Sequence, residues 1–232
     1  MVRRRKGLFV KLAATEVIDV AARCGADFVV VDLEHSQLSE ADALRLVRHA
    51  AAIGLPAFVR VPVLDRGQVN RLLEAGARGI QLSSVRSVAQ VEALRAATRY
   101  APAGTRSISL AHPGAGYGEV SLAEYLAAQQ ADPPELVAQI ETADTDDPLA
   151  DILAAGADVA FVGMTDLSVD LGLDGARVRE RVEEIAAAAE TAGVELGAFG
   201  LDDPRVGYDV SGSDLALLRA ALADHLREPA RA

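Results

Sequence analysis

The chain has 232 residues, of which 50% are hydrophobic and 25% are charged, and its formal net charge is −11. This composition predicts one soluble globular domain over residues 1–232 and excludes a disordered chain. The acidic balance argues against nucleic acid or an anionic membrane surface as a partner, and no apolar run approaches the roughly 20 residues of a membrane span. The single cysteine, Cys24, cannot form an intrachain disulfide, so we expect a cytoplasmic protein.

Short apolar strands that follow a glycine recur along the chain. Alanine-rich helical patterns end at a glycine, and β-branched and aromatic residues follow, as after Gly25, Gly54 and Gly156. Glycine supplies the left-handed residue that ends a helix, and fully apolar strands are typical of a parallel sheet buried on both faces. The pattern predicts eight strands, at residues 8–12, 28–33, 57–61, 79–83, 136–141, 159–163, 195–199 and 206–211.

Helical patterns follow these strands. They lie at residues 15–24, 40–53, 68–75, 88–98, 148–155, 177–192 and 214–227, with a very short turn near 202–204. Eight parallel strands with helical crossovers predict a single (β/α)8 TIM barrel. An open doubly wound sheet is the alternative, but no glycine-rich nucleotide fingerprint follows any strand. The segment 101–121 is long for a connection, so we expect it to cover a site.

Polar side chains follow the carboxyl ends of the predicted strands, where barrel enzymes place their chemistry. The strand interiors stay apolar, so this convergence predicts an active site at one rim of the barrel. The residues concerned are Asp32, Glu34, His35, Arg60, Gln139, Glu141, Asp166 and Ser211.

Two of these carboxylates, Glu141 and Asp166, indicate a metal site. They come from different strands, Gln139 is nearby, and no cysteine cluster accompanies them. Oxygen ligands of this kind suit Mg²⁺ or Mn²⁺, and Co²⁺ or Zn²⁺ could substitute. The alternative is that each carboxylate only caps the turn that follows it.

His35 and Arg60 are the candidates for proton transfer and charge stabilisation. His35 lies close behind Asp32 and Glu34, which fits a general base held in one tautomer by a carboxylate. Arg60 closes an apolar strand, and a buried guanidinium there requires an anion such as a substrate carboxylate or an enolate. An ion pair with Asp32 or Glu34 would also satisfy it. His112, in the long segment, is a weaker candidate for contact with a substrate.

Five separated motifs resemble, in the same order, those of the HpcH/HpaI family of metal-dependent class II pyruvate aldolases. Together they extend over nearly the whole chain. The motifs are FVVVDLEH at 28–35, FVRVP at 58–62, VAQIET at 137–142, GMTDLS at 163–168 and GSDLALL at 212–218.

The resemblance implies a (β/α)8 barrel, commonly assembled as a hexamer built from dimers that exchange the last helix. It implies that Glu141 and Asp166 bind the divalent metal, with Gln139 in support, and that Arg60 stabilises an enolate. It assigns the proton transfer to the His35–Asp32 pair. The implied reaction is the reversible cleavage of a 4-hydroxy-2-oxo acid to pyruvate and an aldehyde, with the metal as Lewis acid.

The chain departs from the family pattern at three places. Family members often carry Gly-Pro-Ala-Asp, whose backbone amides hold the pyruvate carboxylate, where this chain has Gly163-Met164-Thr165-Asp166. We therefore expect substrate to be bound by Gly163, Met164 and Thr165, together with Arg60, Gln139 and Ser211. The pair at 83–84 is Ser-Ser instead of Pro-Met, and residues 111–113 replace an arginine-containing segment. These departures concern the acceptor side, so the aldehyde stays open.

Three other functions compete with this one. A class I aldolase needs a Schiff-base lysine, and the chain contains only Lys6 and Lys11. A carbon–carbon lyase acting on a CoA thioester, like the citrate lyase β-subunit and malyl-CoA groups, usually has a basic surface for the CoA phosphates, which this acidic chain does not obviously offer. A barrel that binds a 2-oxo acid without turning it over is the third possibility.

Overall fold

The computed structural model describes residues 4–227, and its central feature is a closed barrel of eight parallel strands. Each strand pairs with the next along the chain, and β8 pairs with β1 to close the barrel. The predicted (β/α)8 fold is therefore confirmed. The strands are β1 (Arg5–Val10), β2 (Phe28–Asp32), β3 (Ala57–Val61), β4 (Gly79–Leu82), β5 (Glu135–Ile140), β6 (Val159–Val162), β7 (Glu195–Phe199) and β8 (Val206–Ser213).

Helices connect the strands on the outside of the barrel. A 3₁₀ segment, Pro113–Gly118, precedes α5. The α-helices are α1 (Thr15–Arg23), α2 (Glu40–Ala52), α3 (Arg66–Glu74), α4 (Val88–Thr98), α5 (Leu122–Ala131), α6 (Leu149–Ala154), α7 (Met164–Asp170), α8 (Gly175–Ala192) and α9 (Asp214–Arg227).

Aromatic rings fill the interior of the barrel. Phe28 stacks on Tyr208 with ring centroids 4.3 Å apart, and Phe58 meets both rings edge to face. Gly79 makes room for Phe58, because a Cβ on Gly79 would lie 2.8 Å from the Phe58 ring. A second, larger apolar layer lies between the strands and the helices. Burial on both faces explains why β2 and β3 read as continuous apolar runs broken only by Asp32 and Arg60.

Side-chain caps fix the starts of several helices. Ser39, Ser87 and Ser121 each form a capping box at the starts of α2, α4 and α5. Asp65 and Asp174 cap α3 and α8 by accepting backbone N–H bonds. Each such cap stabilises a helix by about 1 kcal/mol. In α2, α3 and α4 the cap also fixes the length of the loop between the preceding strand and the helix.

The largest differences from the predicted elements are at β1, β8 and two helices. β1 begins three residues earlier than predicted because its first residues pair with β8, and β8 extends two residues further to Ser213. The turn expected at 163–166 is the start of α7. Helix α5 was not predicted, since its apolar residues show little helical periodicity and only Tyr125 is buried.

The expectation that segment 101–121 covers the strand-end site of its own chain is wrong. The segment follows a helix instead of a strand, and it packs on the outside of α3 and α4, where Arg106 donates to Asn70 and Thr105 donates to Ala96. His112 is buried against Tyr125, beside residues that precede β3, β4 and β5. His112 therefore lies near the amino ends of the strands, opposite the carboxyl-end rim.

Helix α9 leaves most of its side chains exposed. Its first residue, Asp214, is its one buried residue, whereas five leucines along it are 46–77% exposed: Leu215, Leu217, Leu218, Leu222 and Leu226. Within residues 4–227, none of the helices combines the length and the apolar character that crossing a membrane requires.

Candidate active site

Two adjoining cavities open at the carboxyl ends of the strands and share His35 and Asp166. The larger, of about 410 Å³, is lined by Phe9, Lys11, Arg60, Gln139, Phe161, Gly163, Met164, Thr165, Phe199 and Ser213 besides the shared pair. The smaller, of about 280 Å³, adds Glu34, Ser84, Glu141, Thr142, Val169 and Asp170. The polar residues predicted on β2, β3, β5 and the start of α7 thus surround one continuous region.

Arg60 and Asp32 form a buried, bidentate ion pair across β2 and β3. Arg60 Nε lies 2.9 Å from Asp32 Oδ1, and Nη2 lies 2.6 Å from Oδ2. Asp32 has no exposed surface and Arg60 is 6% exposed. Burial alone would raise the pKa of Asp32, but the hydrogen bonds and charge of Arg60 outweigh it and hold that pKa well below its usual range. Asp32 is therefore a permanent anion that orients Arg60.

The His35 ring faces Glu34 instead of Asp32. Asp32 Oδ1 accepts the backbone N–H groups of Glu34 and His35, at 3.1 and 3.2 Å. The imidazole is 53% exposed, and its Nε2 lies 3.7 Å from Glu34 Oε2. Asp32 thus fixes the backbone of His35, while the carboxylate nearest the ring belongs to Glu34. The family resemblance pairs His35 with Asp32, and the structure connects the two residues through the backbone N–H of His35.

A chain of side-chain hydrogen bonds orients Glu141, which is 4% exposed. Gln81 Nε2 donates to Gln139 Oε1 at 2.6 Å, and Gln139 Nε2 in turn donates to Glu141 Oε2. On the other side, Ser84 donates to Glu141 Oε1 from its backbone N–H at 2.7 Å and from Oγ at 2.6 Å. Gln139 therefore supports Glu141, as the resemblance implied, within a larger network.

Ser84 and Gln81 are site residues that the sequence analysis did not assign. Ser84 has a backbone φ of +51°, an uncommon conformation for a residue with a side chain, and this turn aims both of its donors at Glu141. Ser83 donates to Glu34 Oε2 at 2.6 Å. The departure of residues 83–84 from the family pattern was the available signal. Its effect is to place two hydroxyl donors on the carboxylates of the site.

Residue 163 packs so closely against Glu141 that only glycine fits there. A Cβ at residue 163 would lie 2.6 Å from Glu141 Cβ and would also overlap Glu141 Oε2. Met164, Thr165 and Asp166 then form the first turn of α7 and line the larger cavity. Asp166 lines both cavities, and Glu141 lines the smaller one, so the two predicted metal ligands face one region.

The donor set suits a metal ion that retains water. Within residues 4–227 no cluster of three or more His, Cys, Asp or Glu side chains could enclose an ion. Glu141 and Asp166, which both line the smaller cavity, would supply two oxygen ligands and leave other positions for water and substrate. Mg²⁺ is commonly bound in this way, through one or two carboxylates plus waters and substrate oxygens.

At the end of β8, Ser213 faces the larger cavity, whereas the predicted substrate contact, Ser211, does not line it. Ser211 is exposed, and its Oγ donates to the carbonyl of Gly7 at 3.2 Å. Ser213 lines the larger cavity. The difference arises because β8 runs two residues beyond its predicted end. Lys11, considered in the sequence only as a Schiff-base candidate, also lines this cavity.

The fold and this site define a (β/α)8-barrel enzyme whose active site lies at the carboxyl ends of the strands. The chain belongs to the HpcH/HpaI aldolase/citrate lyase family, whose model matches residues 5–206. Relatives named as aldolases confirm the prediction of an aldolase, a carbon–carbon lyase, and do not favour the CoA-thioester alternative.

Two relatives and one solved structure illustrate the similarity. The chain is 34% identical over 208 residues to a 4-hydroxy-4-methyl-2-oxoglutarate aldolase of Hapsidospora irregularis, with 86% of this chain and 77% of that protein covered. It is 31% identical over 228 residues to a hydroxypyruvate/pyruvate aldolase of Rhizorhabdus wittichii, covering 92% and 89%. A crystal structure of an HpcH/HpaI aldolase from Desulfitobacterium hafniense superposes with a TM-score of 0.88 at 27% identity, covering 98% and 95%.

Proposed function

We propose that the protein is a divalent-metal-dependent aldolase that cleaves a 4-hydroxy-2-oxo acid reversibly to pyruvate, or a related 2-oxo acid, and an aldehyde. The observation that carries this proposal is the convergence of a buried guanidinium, two carboxylates suited to a cation and an exposed imidazole on one region. The relatives support it, since their names include aldolases of hydroxypyruvate, pyruvate and hydroxylated 2-oxo acids.

Glu141 and Asp166 would hold the metal, which we propose to be Mg²⁺ or Mn²⁺, with Co²⁺ or Zn²⁺ able to substitute. When bound, the ion would polarise the oxygens of the 2-oxo acid and lower the energy of the enolate. Gln139, Gln81 and Ser84 fix the orientation of Glu141 through their hydrogen bonds. Such supporting contacts typically change metal affinity or activity by roughly 10–100-fold when they are removed.

The other residues of the site bind substrate and move protons. Arg60 would donate to the oxygen that becomes negative in the enolate, because Asp32 holds its guanidinium plane in one orientation. Gly163, Met164 and Thr165 would bind the carboxylate of the 2-oxo acid through the backbone at the start of α7. At the end of β8, Ser213 is a better candidate for contact with the substrate than Ser211, because Ser213 lines the larger cavity.

His35 would act as the general base in cleavage. Its imidazole takes the proton of the C4 hydroxyl, the electron pair of the broken O–H bond forms the aldehyde C=O bond, and the C3–C4 bond breaks to leave its electron pair on the enolate. Glu34, at 3.7 Å, would stabilise the imidazolium that forms. Proton delivery to C3 then yields the methyl group of pyruvate.

Exchange of the pyruvate methyl protons for deuterium tests this proposal directly. We expect NMR in D₂O to show exchange with Mn²⁺ or Mg²⁺, and none after EDTA treatment, because enolisation needs the metal but no aldehyde. Exchange that persists in EDTA would contradict the metal-dependent mechanism. Absence of exchange with Mn²⁺ demonstrably bound would favour a thioester lyase or a non-catalytic barrel.

We further propose that the protein is a homo-oligomer, with a hexamer formed as a trimer of dimers as the expected state. The exposed leucines of α9 motivate this proposal, since an isolated helix with such a surface gains stability by packing against another subunit. Light scattering at micromolar concentration should give a multiple of the chain mass of 24.3 kDa, six-fold for the hexamer. A monomeric mass would contradict the proposal. The cytoplasmic location stays a prediction from cysteine usage.

A further inference from the structure

Lys11 occupies a defined position at the carboxyl end of β1. Its backbone N–H and that of Leu12 both donate to Asp214 Oδ2, at 2.8 and 2.9 Å. Asp214 is 7% exposed, so this anchor is shielded from water. The Lys11 side chain lines the larger cavity and is itself 19% exposed. The backbone of Lys11 is therefore fixed, and its ammonium group lies at the edge of the larger cavity.

The ammonium group of Lys11 contacts Asp32 and the backbone of His35. Nζ lies 2.8 Å from Asp32 Oδ2 and 3.0 Å from the carbonyl oxygen of His35. Asp32 in turn accepts the N–H of His35, so both backbone groups of His35 are held. An ammonium group has three N–H donors, and these two contacts leave one for a ligand in the cavity.

The charges around Asp32 explain why a second cation is needed. Arg60 and Asp32 together are neutral, and Glu34, whose Oε2 lies 3.3 Å from Arg60 Nη1, adds a second negative charge. Lys11 balances that charge, so the group of four is neutral and does not repel an anionic substrate. Both cations also lie near the ring of Phe9, with the Arg60 guanidinium carbon at 4.3 Å and Lys11 Nζ at 5.9 Å from its centroid.

We propose that Lys11 is a positioning residue for the aldolase reaction: it fixes the Asp32–His35 segment and provides the positive charge that leaves Arg60 effective towards the enolate. The inference rests on the proposed function and extends it. An ammonium paired with a buried carboxylate also differs from the free amine that a Schiff-base mechanism requires. Lys11 therefore acts through Arg60 and His35.

Substitutions of Lys11, assayed by pyruvate deuterium exchange with Mn²⁺ in the full chain, test the inference. We expect K11M and K11Q to lower the maximal exchange rate about 100-fold and to raise the KM for pyruvate, because the segment loosens and the site loses a positive charge. K11R keeps the charge and should recover most of the loss. Mn²⁺ affinity, measured by calorimetry, should stay unchanged in all three variants.

The second lysine of the chain provides a matched control. Lys6 is exposed near the other end of the same strand, so K6M should exchange pyruvate like the unmodified protein. A purely structural role for Lys11 would lower the melting temperature and the rate while leaving KM unchanged, and that result would overturn the inference. Equal losses in K11R and K11M would also overturn it. If the unmodified protein shows no exchange, the proposed function itself fails, and this inference fails with it.

Discussion

Replacing Glu141 with glutamine is expected to abolish metal-dependent exchange of pyruvate protons, with a loss of roughly 10³-fold or more, because a bound cation supplies several kcal/mol of transition-state stabilisation. The substitution keeps the shape of the side chain and removes the negative charge that attracts the ion. Ser84 would still donate to the one remaining oxygen, and the Gln139 amide can turn over to accept from the new amide N–H, so the fold should be retained. Calorimetric titration with Mn²⁺ and NMR exchange rates measure the two effects separately.

The control for this prediction is a carboxylate far from the site. Glu190 is exposed on α8, and E190Q should bind Mn²⁺ and exchange pyruvate normally. D166N should behave like E141Q, and the double variant should be no worse than either single one, because all three lose the same ion. Retained Mn²⁺ binding in both E141Q and D166N would place the metal elsewhere.

Much of the barrel was predictable because local rules and the overall fold agree. Glycines with positive φ end helices at Gly25, Gly54 and Gly156, and the strand that follows each is buried on both faces. Asp32, Arg60 and Glu141 were also identifiable, since a charged residue at the end of an apolar strand has few structural explanations. These signals depend on sequence spacing alone.

What the sequence did not show depends on tertiary geometry. Asp32 lies two residues before Glu34 and three before His35. Sequence spacing does not show that the Asp32 carboxylate accepts from their backbone N–H groups, or that the Glu34 carboxylate faces the His35 ring. The contact between Lys11, which follows β1, and Asp32, at the end of the neighbouring β2, depends on the pairing of these two strands. Side-chain direction at a strand end changes with each residue of register, which is also why Ser211 was predicted in place of Ser213.

The end of β4 shows that a departure from the family pattern changes the hydrogen bonds of the site. Gln81 lies in β4 and reaches Glu141 through Gln139. Ser83 and Ser84 follow the strand directly and donate to Glu34 and Glu141. Because buried carboxylates are costly unless they are paired, these donors stabilise the site before any cation binds. Residues 83–84 therefore present two hydroxyl donors where a Pro-Met pair would present apolar surface.

Replacing Arg60 with methionine is expected to reduce both stability and activity. Asp32 has no exposed surface, so loss of its bidentate partner leaves a buried carboxylate with Lys11 as its remaining ion-pair contact. We expect a decrease in the free energy of unfolding on the order of 3 kcal/mol, measured by urea denaturation. The maximal rate of pyruvate exchange should fall by about 10²–10³-fold, because the enolate loses its guanidinium donor.

The double variant R60M/D32N separates these two effects. Neutralising Asp32 removes the unpaired buried charge, so stability should recover, whereas exchange should stay low because the guanidinium is still absent. R71M serves as a control, since the Arg71–Glu40 pair is largely exposed and its loss should change stability and exchange little. Recovery of exchange together with stability in R60M/D32N would show that Arg60 serves only to neutralise Asp32. Persistent inactivity in a stable protein would instead place Arg60 on the reacting substrate.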